Sequence, residues 1–179
     1  MAEAFVNQVN RAVGIVTSSS NASIGIGLTW MSGISTAHVA IHDIVDNANF
    51  IAGTKVTQVG VSSVQLDRAS TNTVAATASN VSFLGPTTSY TSASATKSIL
   101  IGGTFANNTA NSVNLTVTVY DNSATTESQL AAKIPVPTGS SFVISDAGKT
   151  VLEGNDEVRV YCDTENAIDV NLSILKGVS

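Results

Sequence analysis

The side chains suited to acid–base or metal chemistry are few and fall in three places. His38 and His42 lie four residues apart, with Asp43 and Asp46 close behind. On a helix the two imidazoles would share a face and reach one metal ion. The segment Val39-Ala-Ile-His-Asp-Ile-Val is more strand-like, and a strand sets them too far apart for easy chelation. The plainer reading is an exposed polar face leading into a turn at Asp46-Asn-Ala-Asn49. The second place is acidic: Glu153, Asp156, Glu157, Asp163, Glu165 and Asp169. Carboxylates on sandwich loops can hold calcium, but the EF-hand spacing is absent. Arg159 and Lys149 offer ordinary ion partners. An acidic edge that opposes strand-to-strand aggregation is the better account. The third is Cys162, the single cysteine, which alternates with Val158 and Val160 and so reads as a small buried side chain. No Gly-x-Ser-x-Gly elbow is present, and Gly25-Ile-Gly27 lacks the third glycine of a dinucleotide loop. No catalytic residue, cofactor site or metal ligand is assigned on this reading, and an enzyme is not expected.

The polar residues that dominate are of another kind. Ser, Thr and Asn make up about a third of the 179 residues, well above their ordinary share. A hydroxyl found everywhere marks no nucleophile. Such side chains suit exposed strand faces and tight turns, and they supply few of the acids, bases and metal ligands that catalysis uses. The net charge is −5. Before Tyr120 the acids Glu3, Asp43, Asp46 and Asp67 are matched by Arg11, Lys55, Arg68 and Lys97. With no basic patch, no nucleic-acid partner is expected. No apolar stretch approaches bilayer length, so no membrane partner is expected either. Met1-Ala-Glu-Ala-Phe-Val-Asn-Gln lacks the basic and apolar regions of a signal peptide. A lone cysteine agrees with folding in a reducing cytoplasm.

The elements that would carry these residues read as strands throughout. Val113, Leu115, Val117 and Val119 alternate with Asn114, Thr116 and Thr118; Ile168, Val170, Leu172 and Ile174 alternate with Asp169, Asn171 and Ser173. Val158, Val160 and Cys162 alternate with Glu157, Arg159 and Tyr161. Period two is the signature of a strand with one face buried. Ile99 and Ile101 start a further strand, and Gln129–Val136 and Ser141–Ile144 supply two more around the turn Pro137-Thr-Gly139. The spacing predicts an all-β fold with a C-terminal antiparallel β-sandwich (jelly-roll or Ig-like) over 97–179. A smaller β-rich module is expected over 1–84, with strands at Val13–Val16, Ile24–Thr29, Val39–Val45, Val56–Val59, Val64–Leu66 and Val81–Leu84. The small polar run 85–96 reads as a linker. Phe5, Val9, Ala12 and Val13 would share one helical face. Residues 1–13 are therefore expected to form a docking arm, with Phe5, Val9 and Val13 as its partner-binding residues. Deleting the arm should leave a folded protein.

Two stretches resemble structural proteins of tailed bacteriophages, particularly phages of marine bacteria and cyanobacteria. One is Asp43-Ile-Val-Asp-Asn-Ala-Asn-Phe-Ile-Ala-Gly-Thr-Lys-Val-Thr-Gln-Val-Gly with Val64-Gln-Leu-Asp-Arg-Ala-Ser. It is similar to small β-modules that recur in virion proteins. The other runs from Ile99 to Leu175 and includes Ile134-Pro-Val-Pro-Thr-Gly-Ser-Ser and Val151-Leu-Glu-Gly-Asn-Asp-Glu-Val-Arg-Val. It resembles a β-sandwich module of such particles. The resemblance implies a non-enzymatic virion component, made in the host bacterial cytoplasm, that binds other virion subunits and forms a homo-oligomer. Capsid decoration or cementing is the first expectation. A neck, collar or tail attachment role is the second. Long fibres show repeats or coiled-coil stalks, and neither occurs here. A rival from another class is a carbohydrate-binding adhesive module, with Trp30, Tyr90, Tyr120 and Tyr161 stacking on sugars.

Overall fold

The computed structural model describes residues 3–71, 77–145 and 149–178. Every regular element among them is a strand. In chain order these are β1 (Ala4–Val13), β2 (Ile15–Ile24), β3 (Trp30–Ser32), β4 (Ile44–Asp46), β5 (Val56–Val59), β6 (Ser63–Leu66), β7 (Thr77–Gly85), β8 (Thr87–Thr91), β9 (Lys97–Asn107), β10 (Val113–Asp121), β11 (Thr126–Val136), β12 (Ser141–Ile144), β13 (Thr150–Leu152), β14 (Glu157–Cys162) and β15 (Ile168–Val178). The expected all-β class holds.

The chain divides into two units. One joins Met1–Gly14 to Thr87–Ser179, and the other is Ile15–Pro86. The first unit holds two antiparallel sheets: β1-β15-β9-β12, with β13 also on β9, and β11-β10-β14-β8. Leu100, Phe105, Leu172 and Ile174 of one meet Leu115, Val117, Val158 and Val160 of the other in a single core. Those from β10, β14 and β15 are the apolar members of the alternating runs, so period two sorted them inward as a sandwich requires, while in β9 Leu100 faces in rather than Ile99 or Ile101. The second unit is a single sheet, β4-β7-β2-β3-β6-β5, with its own core of Ile24, Met31, Val45, Val56, Val64, Val81 and Phe83.

Three expectations are corrected. First, the described part of 1–13 is not a free arm or a helix. Ala4–Val13 form β1, paired with β15 from Ala4↔Lys176 to Val13↔Ile168. A bulge between Asn10 and Val13, with Ala12 at φ 56°, breaks the alternation. Phe5 and Val9 therefore stay outside while Val13 enters the core, 2% exposed. Deleting 1–13 would strip Val13 and the part-buried Val6 from that core, so it is not a neutral excision. Met1 and Ala2 lie outside the described residues. Second, 85–96 is not simply a linker, because Thr87–Thr91 is β8, paired with β14. β-Branched threonine is a good strand former even where its polarity suggests a loop. Third, of Val39–Val45 only Ile44 and Val45 are in a strand. His38 (φ 65°) and His42 (φ 79°) sit in left-handed turns instead.

Gly14, between β1 and β2, has φ +135°, and a Cβ there would lie 2.1 Å from the Thr164 carbonyl oxygen. Only glycine fits, and its own carbonyl accepts from the Asn166 amide at 3.1 Å.

Candidate functional site

The structure disperses the residues that could do chemistry. The two turns carrying His38 and His42 abolish both the helical and the extended spacing, and no cluster of three or more His, Cys, Asp or Glu suited to a metal occurs among the described residues. Asp43 is buried, and that desolvation raises its pKa; its Oδ2 accepts from the Ala40 amide at 2.9 Å, a lesser and opposing effect. It closes its own turn. Cys162 is fully buried, which pushes its thiol up to about 11 and keeps it un-ionised at neutral pH.

Most of the acidic set does not form one edge. Asp156 accepts from the amides of Glu153 (2.9 Å) and Asn122 (3.1 Å). Asp163 accepts from the amide (2.9 Å) and side chain (2.7 Å) of Asn114. Asp169 accepts from the Ala12 amide at 2.9 Å and so pins the β1 bulge. These carboxylates satisfy backbone donors at turns and strand ends, where an unpaired buried amide would be costly. Glu153 pairs with Lys97 at 2.8 Å across an open cleft of about 440 Å³, so the cleft's two charges answer each other.

One ionic cluster escapes sequence reasoning. On the face of the second sheet opposite its core, Arg159 Nε lies 2.7 Å from Glu157 and its Nη1 lies 3.4 Å from Glu127. Tyr161 donates its hydroxyl to Glu127 at 2.9 Å, Thr118 Oγ1 also donates to Glu127, and the guanidinium lies 3.9 Å from the Tyr120 ring centroid. Burial alone would lower the guanidinium pKa, but the two carboxylates outweigh it and raise it. Burial, then the neighbouring Glu127 charge, raises the Tyr161 phenol well above its ordinary range. The alternation of β14 put Arg159 and Tyr161 on one side. What no local pattern revealed was that β10 would supply Thr118 beside them, or that β11 would supply Glu127. Each member already has its partner, so the cluster ties strands together and offers no free acid or base.

The aromatic platform also disperses. Tyr90 is buried with its hydroxyl 2.8 Å from Ser98 Oγ, Tyr161 is buried, and Tyr120 is capped by Arg159. Of those four aromatics only Trp30, 48% exposed, presents a large open surface.

What the first sheet presents outward is an apolar row. The register aligns Phe5 with Leu175, Leu175 with Ile99, and Ile99 with Val151. These four cross the sheet side by side on its outer face. Phe5 is 77% and Val151 54% exposed, with Leu175 and Ile99 part-buried between them. A parallel line runs Val9, Asn171, Thr104, Val143, where Val9 and Val143 are again exposed. An apolar row framed by Asn, Thr and Ser has the composition of a contact surface. Of the expected docking residues, Phe5 and Val9 belong to this face and Val13 does not.

No helix among the described residues is long and apolar enough to cross a membrane. No family model matches the chain, and no curated protein matches it. Among solved structures, an isomalto-dextranase of Arthrobacter globiformis T6 complexed with panose is similar at 11% identity, with a TM-score of 0.25. The likeness covers 97% of this chain and 34% of that one, and it is too slight to carry an argument about fold or activity.

Proposed function

We propose that the chain is a non-enzymatic structural protein of a bacteriophage particle, binding neighbouring virion subunits through the outer face of its first sheet. The observation that carries this is the row Phe5–Leu175–Ile99–Val151, exposed apolar surface on a molecule whose ionisable groups are mostly engaged in its own turns and strands. The resemblance of 43–70 and 99–175 to virion modules gives the class of partner. Decoration or cementing of a capsid suits a small module of this kind, because each copy adds buried interface and stabilises the shell by mass action. Neck, collar or tail attachment would use the same face.

The test is incorporation into particles. Phe5→Ser with Val151→Ser changes only exposed side chains, so folding should persist while association with particles is lost. Incorporation at the normal level by this folded variant would refute the reading. Exposed Trp30 favours the adhesive alternative, and specific binding on a glycan array, abolished by Trp30→Ala and without particle association, would replace the proposal.

A further inference from the structure

We infer that two copies of this chain join edge to edge through β1, antiparallel about Asn7, to make one continuous sheet. This goes beyond the virion reading and does not depend on it. β1 ends the order of its sheet, and among the described residues no strand is hydrogen-bonded to its far side. It runs ten residues, Ala-Phe-Val-Asn-Gln-Val-Asn-Arg-Ala-Val, with no proline or lysine and one charge. Those omissions matter, since proline, lysine and inward charges are the usual means of blocking an open edge. The one obstacle, the bulge around Ala12, stops the regular ladder after Asn10.

The regular ladder then spans Ala4 to Asn10, with Glu3 and Arg11 just beyond its ends, and its midpoint is Asn7. Pairing about that midpoint is self-complementary. Glu3 of each copy faces Arg11 of the other, and Phe5 faces Val9. Among the described residues neither Glu3 nor Arg11 is drawn into another ion pair. A shift of two residues in either direction loses both matches: Arg11 would face Phe5, or Glu3 would face Val9. Directly opposed residues in an antiparallel pair lie on the same face. Phe5 and Val9 are both outward, so the apolar row of one copy continues into the second copy's Val9 line. The backbone ladder supplies the attachment, and the exposed Glu–Arg pairs select the register.

Cross-linking of the full chain reads this register. Cys162 is fully buried and gives no background. Asn7→Cys should oxidise to a disulfide-linked dimer, because opposed Cα atoms lie about 4.5–5.5 Å apart. Phe5→Cys alone should not, since the two copies of residue 5 would stand about 14 Å apart along the strands. Phe5→Cys mixed with Val9→Cys should link. In sedimentation of reduced protein, Arg11→Glu should weaken the dimer about five- to thirtyfold, and Glu3→Lys in the same chain should restore it. A monomer at all concentrations overturns the inference. So does linking of Phe5→Cys as fast as Asn7→Cys, or failure of the charge swap to restore association in variants whose circular dichroism is unchanged.

Discussion

Replacing Arg159 with methionine would keep most of its length and remove its charge. The side chain is 11% exposed, and that of Glu127 only 5%. Glu127 would keep the hydroxyls of Tyr161 and Thr118 but lose the Arg159 guanidinium. Glu157, 25% exposed, can turn to water. Removing one partner of a buried ion pair costs about 3–5 kcal/mol. Glu127→Gln is the informative control: Gln still accepts from both hydroxyls, and Arg159 still holds Glu157, so the expected cost is about 1–2 kcal/mol. With a urea slope of about 1–1.5 kcal/mol/M for a unit of roughly a hundred residues, Arg159→Met lowers the midpoint by about 2–5 M and Glu127→Gln by about 0.7–2 M. The optical assay separates the units. Tyr90, Tyr120 and Tyr161 all lie in the first unit, and the only tryptophan, Trp30, lies in the second. Tyrosine signal should move while tryptophan emission keeps its midpoint. Equal costs for the two variants would refute the ionic argument. A tryptophan transition that follows the tyrosines would refute independent unfolding of the units.

Three further outcomes are expected. Cys162 should resist thiol reagents at mildly alkaline pH in the folded protein and react at once in denaturant, and rapid labelling of native protein would contradict its burial. Asp43 has a folded pKa above its ordinary 3.8, so its protonated form favours folding; that contribution is full below 3.8 and is lost as pH rises through the folded value. Asp43→Asn should match or exceed wild type near neutrality and lose this advantage as pH falls through the folded value, read by Trp30 emission, whereas a constant difference across pH would count against it. Gly14→Ala combines a strained φ with a backbone clash and should cost at least about 2–3 kcal/mol, measured by denaturation of the first unit; an unchanged midpoint would rule out that geometry.

The strands that could be read from the chain are those with one wet and one dry face. Val113–Val119 and Ile168–Ile174 alternate cleanly because the sandwich buries one side of each. β1 was hidden because it carries apolar residues on both faces, Val6 inward and Phe5 and Val9 outward, and because its bulge brings Val13 back in. Phe5, Val9 and Val13, together with Ala12, mimic a helical stripe. β2 was hidden for the opposite reason: Thr17 to Asn21 is an unbroken polar run, yet β7 and β3 flank the strand on either side. The outer row could not be found locally at all. Phe5, Ile99, Val151 and Leu175 are remote in sequence, and only the register brings them abreast.

The pairing of Ala4 with Lys176 sets an order of events during synthesis. The ribosome delivers β1 first and its neighbour β15 last, with the whole Ile15–Pro86 unit emerging between them. That inserted unit can fold while the sandwich is still incomplete, since domains form as they are made. Until the final strand is released, β1 has no lattice to join and the loop to be closed is nearly the length of the chain, which slows the step. A nascent chain stalled before residue 168 should therefore hold a folded insert and a protease-sensitive leading segment.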